Sequence, residues 1–189
     1  MVQTYDALLE LFRVPRGFFR HPFFTSLFLV YFISIAPRVK KLVCLLGVKT
    51  RTALASIVEV GDFCRFEKGS TYAAYLGLTP GESSSGDTVR RGGLSKAGNA
   101  HLRTLYIEAA QGVCKGRIGH KSKELKARQA GSSQEVITYA DQANERLRRK
   151  YYRLIHREKK RNVAVAAIAR ELACFIWGMM SNHTERRVA

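Results

Sequence analysis

The clearest hydrophobic pattern in the chain lies between Asn99 and Val113. Leu102, Leu105, Tyr106, Ala109, Ala110 and Val113 fall at i, i+3, i+4, i+7, i+8 and i+11, which traces one face of an α-helix. Arg103 lies about 100° round that helix from Leu102, at the edge of the apolar face. Upstream, Val39, Leu42, Val43 and Leu46 form one stripe, Gly47-Val48 interrupts it, and Ala53, Leu54, Ile57 and Val58 form another. That spacing predicts helix, glycine turn, helix over 38–61, with Thr50 capping the second helix and Gly61 ending it. Gly69–Leu76 reads as a short helix stopped by Gly77. A long helix is predicted from Gln134 to Lys160. Its apolar positions Val136, Ala140, Ala143, Leu147, Tyr151 and Leu154 step by 4, 3, 4, 4 and 3, close to a heptad seam, so a coiled coil or helical hairpin is expected. A final apolar helix, capped by Asn162, runs to Met180 and buries Val165, Ile168, Leu172, Phe175, Ile176 and Met179. No stretch alternates apolar and polar residues convincingly. The expected fold is therefore mainly α, a helix–hairpin–helix followed by a helical domain. Ser181–Ala189 is polar and expected to fray.

Charge adds a partner to this picture. Lys and Arg number 32 against 15 Asp and Glu, a net +17. The excess is densest between Lys115 and Arg161, with 15 basic against 5 acidic residues. Lys115–Ser133 reads as a basic connector rich in Gly, Lys and Ser. The outer faces of the long helix carry Arg146, Arg148, Arg149, Lys150, Arg153 and Arg157. Such an excess exceeds what solubility requires and suits a polyanion, nucleic acid above all. Lys49 and Arg51 flank the turn of the helix–hairpin–helix, where a helix N-terminus presents N–H groups to a phosphate. An ordinary αα-hairpin packing the core would show the same pattern. Cys44, Cys64, Cys114 and Cys174 lie far apart without a Cys-x-x-Cys, which argues against a disulfide framework and for a reducing cytoplasm. The five histidines are scattered and offer no metal-ligand spacing.

Residues 1–36 differ from the rest. Pro22–Ala36 is mostly apolar, with Arg13, Arg16 and Arg20 before it and Arg38, Lys40 and Lys41 after. The run falls short of the roughly 20 residues of a membrane-spanning helix, and its charged leader is long for a signal peptide. The favoured expectation is a segment foreign to the domain that follows. A buried helix and a membrane anchor are the alternatives.

The remaining motif is chemical. Ser83, Ser84 and Ser85 stand together before Gly86, and Arg90, Arg91 and Lys96 follow among Gly92, Gly93 and Gly98. A hydroxyl can attack phosphorus, and guanidinium groups can hold the charge that develops. The same residues also make an ordinary flexible turn. Gly-x-Ser-x-Gly spacing is absent and no Ser-His-Asp set is evident, since His101 falls across the apolar stripe from Arg103. Acyl transfer is thus disfavoured.

The order of these residues also resembles a known family. AAYLGLTPGESSSG (73–86) and RRGGLSKAGNAHLRTLYIEAA (90–110), with LLGVKTRTALASIVEVGDFCRF (45–66) before them and ANERLRRKYYRLI (143–155) and RNVAVAAIARELACFIWGMM (161–180) after, resemble the C-terminal domain of bacterial insertion-sequence transposases of the IS-one-ten / IS-one-sixteen type, a serine transposase family. The resemblance covers about Pro37 to Met180. It implies DNA strand transfer with Ser85 as nucleophile, Ser84 being the neighbouring alternative. It also implies that Arg90, Arg91, Lys96 and Arg103 are the basic positions around that serine. Members of the family carry an N-terminal RuvC-like nuclease domain with acidic ligands for a divalent metal. Residues 1–36 offer only Asp6 and Glu10, so no cofactor is expected in this chain and the metal would belong to the other half. Guide RNA recognition, largely by that half, and a homo-oligomeric active complex are further implications, in the cytoplasm at the nucleoid. The chain then reads as a truncated transposase, 37–114 being the helix–hairpin–helix and serine core and 115–180 the basic helical part. A non-catalytic DNA- or RNA-binding module is the rival, and a small membrane-associated basic protein a further one.

Overall fold

The computed structural model describes residues 34–85 and 88–182. The chain divides between Ala36 and Pro37 into two units, and all the packing below belongs to the second. The apolar run before Ser34 and the tail after Asn182 lie outside the described residues, and with them the expectations placed there.

The fold is mainly α-helical. Helix α1 covers 34–42 and α2 runs over Thr50–Val60. Helix α3 is Gly69–Tyr75, α4 is Ala100–Cys114, α5 is Lys123–Gln129, α6 is Gln134–His156 and α7 is Arg161–Met180. Between α3 and α4 stand two strands, β1 (Pro80–Ser85) and β2 (Thr88–Leu94), paired antiparallel. The expected helices thus stand, and the serine segment, read as a loop, is a β-hairpin. Its strands, PGESSS and TVRRGGL, are runs of Ser, Arg and Gly with no apolar–polar alternation to reveal them. The basic connector likewise contains α5, a helix too short for a stripe, of which Leu125 and Gln129 are buried.

Helix α7 is the hub, packed on α3, α4 and α6. Ile168, Leu172 and Ile176 are fully buried on it, each contributing roughly 1.5–3 kcal/mol. By length and composition α7 could cross a membrane, yet its apolar side is taken up by these neighbours. The α3 contact is close because Gly69 has no side chain. A Cβ there would lie 3.1 Å from Cys174. The Trp177 indole N–H donates to the carbonyls of Phe63 and Phe66, both at 3.1 Å, fixing the loop before α3. Below it the hydroxyls of Tyr72, Tyr106 and Ser56 form a buried chain, at 2.7 Å and 3.1 Å. Burial raises Tyr106 to about 12 and pushes Tyr72 up as well, so both phenols stay neutral and hold their hydrogen bonds.

The turn between α1 and α2 is pinned from a distance. Gly47, at φ 81°, presses so close to α4 that a Cβ would fall 2.1 Å from the Ala109 carbonyl oxygen. Asn144 of α6 accepts from the Leu46 N–H at 2.8 Å, and Arg128 of α5 donates to the Val48 carbonyl at 2.6 Å. Several local expectations change here. Helix α2 begins with Lys49 as its cap residue, without a side-chain cap bond, so Thr50 does not cap it. Helix α7 is likewise capped at Lys160, not by Asn162, and α6 ends at His156. Val58 is 52% exposed, outside the stripe assigned to it. Arg148, read as a solvent-facing cation, is buried under Gly116 and donates to the carbonyls of Arg117 and His120. Desolvation lowers its pKa from the usual arginine value. Its work is to shape the connector.

Candidate functional site

The hairpin is held at its base by backbone contacts that need glycine. Gly77, at φ 66°, ends α3, its N–H bonded to the Ala74 carbonyl at 2.8 Å. A Cβ there would fall 2.0 Å from the Ala97 carbonyl oxygen and 2.7 Å from Arg103 Nη1. Gly98, at φ 88°, lies against Tyr75, where a Cβ would meet the carbonyl oxygen at 2.0 Å. The Asn99 N–H donates to that same Tyr75 carbonyl at 3.0 Å, and the Ser95 N–H to Thr79 at 2.9 Å. Asn99 then caps α4, accepting from the Leu102 N–H at 2.9 Å. Its amide also donates to Glu59 at 2.7 Å, and His101 pairs with the other oxygen of that carboxylate. His101 is thus engaged at the base.

From this clamp the strands run out in register. Pro80 faces Leu94, and an irregularity follows where β2 has an extra residue at Gly92-Gly93. Beyond it Glu82 faces Arg91, Ser83 faces Arg90, Ser84 faces Val89 and Ser85 faces Thr88. Gly86 and Asp87, between the closing pair, lie outside the described residues. The serines therefore occupy the far end of β1, and Arg90 and Arg91 lie on the paired strand within two register positions of Ser84.

The other expected basic residues are placed elsewhere. Arg103 Nη1 donates to the Leu76 carbonyl at 3.2 Å, which ties the half-buried guanidinium to the clamp. Pro80 and Ser85 are five residue steps apart on β1, about 17 Å at 3.3–3.4 Å each. Lys96 is exposed in the turn before α4 with φ 56°. Lys49 and Arg51 are exposed at the start of α2. The clamp instead meets the other end of that helix at Glu59, about 15 Å along its axis. The structure thus brings Arg90 and Arg91 to the serine strand, Arg103 and Lys96 to its base, and Lys49 and Arg51 to neither.

The basic face expected on the long helix is one wall of a trough whose other wall, on α7, sequence reasoning missed. Helix α6 carries Arg146, Lys150 and Arg153 along one face, and α7 adds Arg170 and Glu171. Glu171, little exposed, accepts from Arg146 Nε at 2.7 Å with one oxygen and from Lys150 with the other. Lys150 and Arg170 also line a shallow groove of about 300 Å³ against Gly92, Gly93 and Val163. The available signal was Arg170-Glu171, a charged pair inside an otherwise apolar helix. Among the described residues, no group of three or more His, Cys, Asp and Glu side chains is placed to hold a metal ion.

With this geometry in view, the comparisons with known proteins are direct. Residues 39–127 match the model of the Transposase IS116/IS110/IS902 family. A putative transposase, y4qE, of Sinorhizobium fredii (strain NBRC 101917 / NGR234) is 42% identical over 147 residues, which are 77% of this chain and 37% of that protein. A probable family 20 transposase of Pseudomonas aeruginosa is 28% identical over 150 residues, 78% of this chain and 36% of its own length. The transposase for insertion sequence element IS1111A of Coxiella burnetii is 39% identical over 84 residues, 43% of this chain and 23% of that protein. This chain carries the transposase domain of the IS116/IS110/IS902 family of insertion sequences. It spans little more than a third of the length of the first two relatives.

Proposed function

We propose that this chain is the strand-transfer part of an insertion-sequence transposase and that Ser85 is its nucleophile, with Ser84 the neighbouring alternative. The observation that carries this reading is the hairpin itself. It sets three consecutive serines at the end of a strand, opposite a strand bearing Arg90 and Arg91, within the residues that match the transposase family. In the proposed step the serine Oγ forms a bond to a DNA phosphorus and one bridging P–O bond breaks. The released DNA hydroxyl takes up a proton as the serine loses its own. A neutral serine is a weak nucleophile. Residues alternate faces along a strand, so Arg90, paired with Ser83 and two positions from Ser85, is the one placed to hold the charge growing on the non-bridging oxygens for Ser85, and Arg91 the one for Ser84. Arg103 acts at the clamp through the Leu76 carbonyl, and Lys96, exposed at the hairpin base, is available to a phosphate.

The described residues do not fit a metal site, so no step here passes through one. The nuclease half that the family resemblance implies would hold its own metal. DNA is the partner of this part. Guide RNA, a homo-oligomeric complex and a nucleoid location belong to the assembled transposase in the same reading. The test is a transposase rebuilt with a related nuclease half, its guide and a labelled DNA substrate. Denaturing gels should show a protein–DNA adduct, and peptide mapping should place the DNA on Ser85. An adduct on Ser84 would move the assignment by one residue. A competent reaction without any serine adduct would reduce the hairpin to a turn.

A further inference from the structure

We infer that the trough between α6 and α7 is the track for the sugar–phosphate backbone of the DNA strand that the hairpin acts on. This deepens the reading above and rests on it. Arg146, Lys150 and Arg153 follow one another at i, i+4 and i+7 on α6, about one cation per 5.4 Å turn. Arg170 stands across the seam on α7. The one acid in this cluster, Glu171, takes Arg146 and Lys150 on separate oxygens. It sets two flexible cations side by side and leaves the cluster three cations in excess. That is a row of fixed positive charge, which a nucleic-acid backbone fits and a neutral ligand does not.

Direction is the second argument. Lys150 borders both the cationic stretch and the groove at the hairpin base. There β2 contributes Gly92, Gly93 and Leu94 beside an otherwise apolar lining, and a Cβ at Gly93 would meet nothing within 4 Å. A sugar–phosphate chain can therefore lie against bare strand backbone and continue toward Arg91 and Arg90 on that same strand. The trough thus leads from α6 to the strand opposite the serines.

The experiment measures binding of the 189-residue chain to a labelled duplex of about 30 base pairs across a salt series. Lys150→Ala and Arg170→Ala should each weaken binding about three- to tenfold near 0.1 M salt. Each should also flatten the log–log slope by about 1. Lys126→Ala, on exposed α5, should stay within about twofold. Glu171→Gln should tighten binding about threefold and steepen the slope, because two paired cations are released to phosphate. A purely structural ion cluster would instead give a lower melting temperature and no gain in affinity. If the native chain binds DNA steeply with falling salt and the trough variants behave like Lys126→Ala, the track is wrong and the DNA reading stands. If the native chain shows no salt-dependent DNA binding, both fail. A labelled RNA of the same sequence forms the parallel arm. Variants that weaken RNA binding alone would overturn the DNA assignment in favour of a guide.

Discussion

The α7-centred core and the β1–β2 hairpin are built on opposite principles. In the core, apolar side chains from α3, α4, α6 and α7 interlock, and buried polar groups such as Tyr72, Tyr106, Ser56 and Trp177 have hydrogen-bond partners. The hairpin joins Ser, Gly and Arg by strand pairing and is attached through glycines whose backbones touch. The first region holds its shape through area removed from water. The second holds a direction. A substitution in the core should therefore cost stability. A substitution on the hairpin should cost chemistry.

The largest stability loss should come from the hub. Leu172→Ala removes a fully buried side chain and should destabilise the protein by about 2–5 kcal/mol in urea unfolding. Gly47→Ala tests the pinned turn, where the new Cβ would collide with the Ala109 carbonyl. It should cost more than about 2 kcal/mol, since no flexible side chain can yield there. Tyr106→Phe deletes the hydroxyl between Tyr72 and Ser56 and should cost about 1–2 kcal/mol by leaving the buried Tyr72 hydroxyl without this partner. Thiol chemistry gives a graded check of the same core. Cys64 is exposed, whereas Cys114 is buried and its thiol is pushed up to about 11 by burial. Alkylation at neutral pH should label Cys64 in the folded protein and Cys114 only on unfolding.

The contrast between the regions also explains what the sequence reveals. Leu102, Leu105, Tyr106, Ala109, Ala110 and Val113 are all buried, because a helix that packs on one side must repeat its apolar residues every 3.6 positions. The stripe through Ile168, Leu172 and Ile176 was legible for the same reason. The hairpin was not, since neither of its strands offers an apolar face and its pairing is made by backbone. Arg148 was misread because its burial depends on Gly116, 32 positions away. Arg103 was placed correctly at the edge of its helix, but its Leu76 partner comes from the far side of the hairpin. The candidate serines and Arg90 were legible as residue types. That Ser83 and Arg90 stand opposite each other required the register. Of the trough, the cations of α6 were legible as a basic face, whereas Arg170 and Glu171 were not, because they join it across the seam of two helices.

The central claim is that chemistry resides on the hairpin and stability in the core. Its most direct test measures both on one variant, Ser85→Ala, in the rebuilt transposase with guide and DNA supplied. Strand transfer should vanish while the unfolding free energy moves by less than about 0.5 kcal/mol, and DNA affinity should stay within a few-fold, since a neutral hydroxyl contributes only about 1 kcal/mol. Ser85→Ala that transfers strands at the native rate, or that unfolds the domain, would contradict the account.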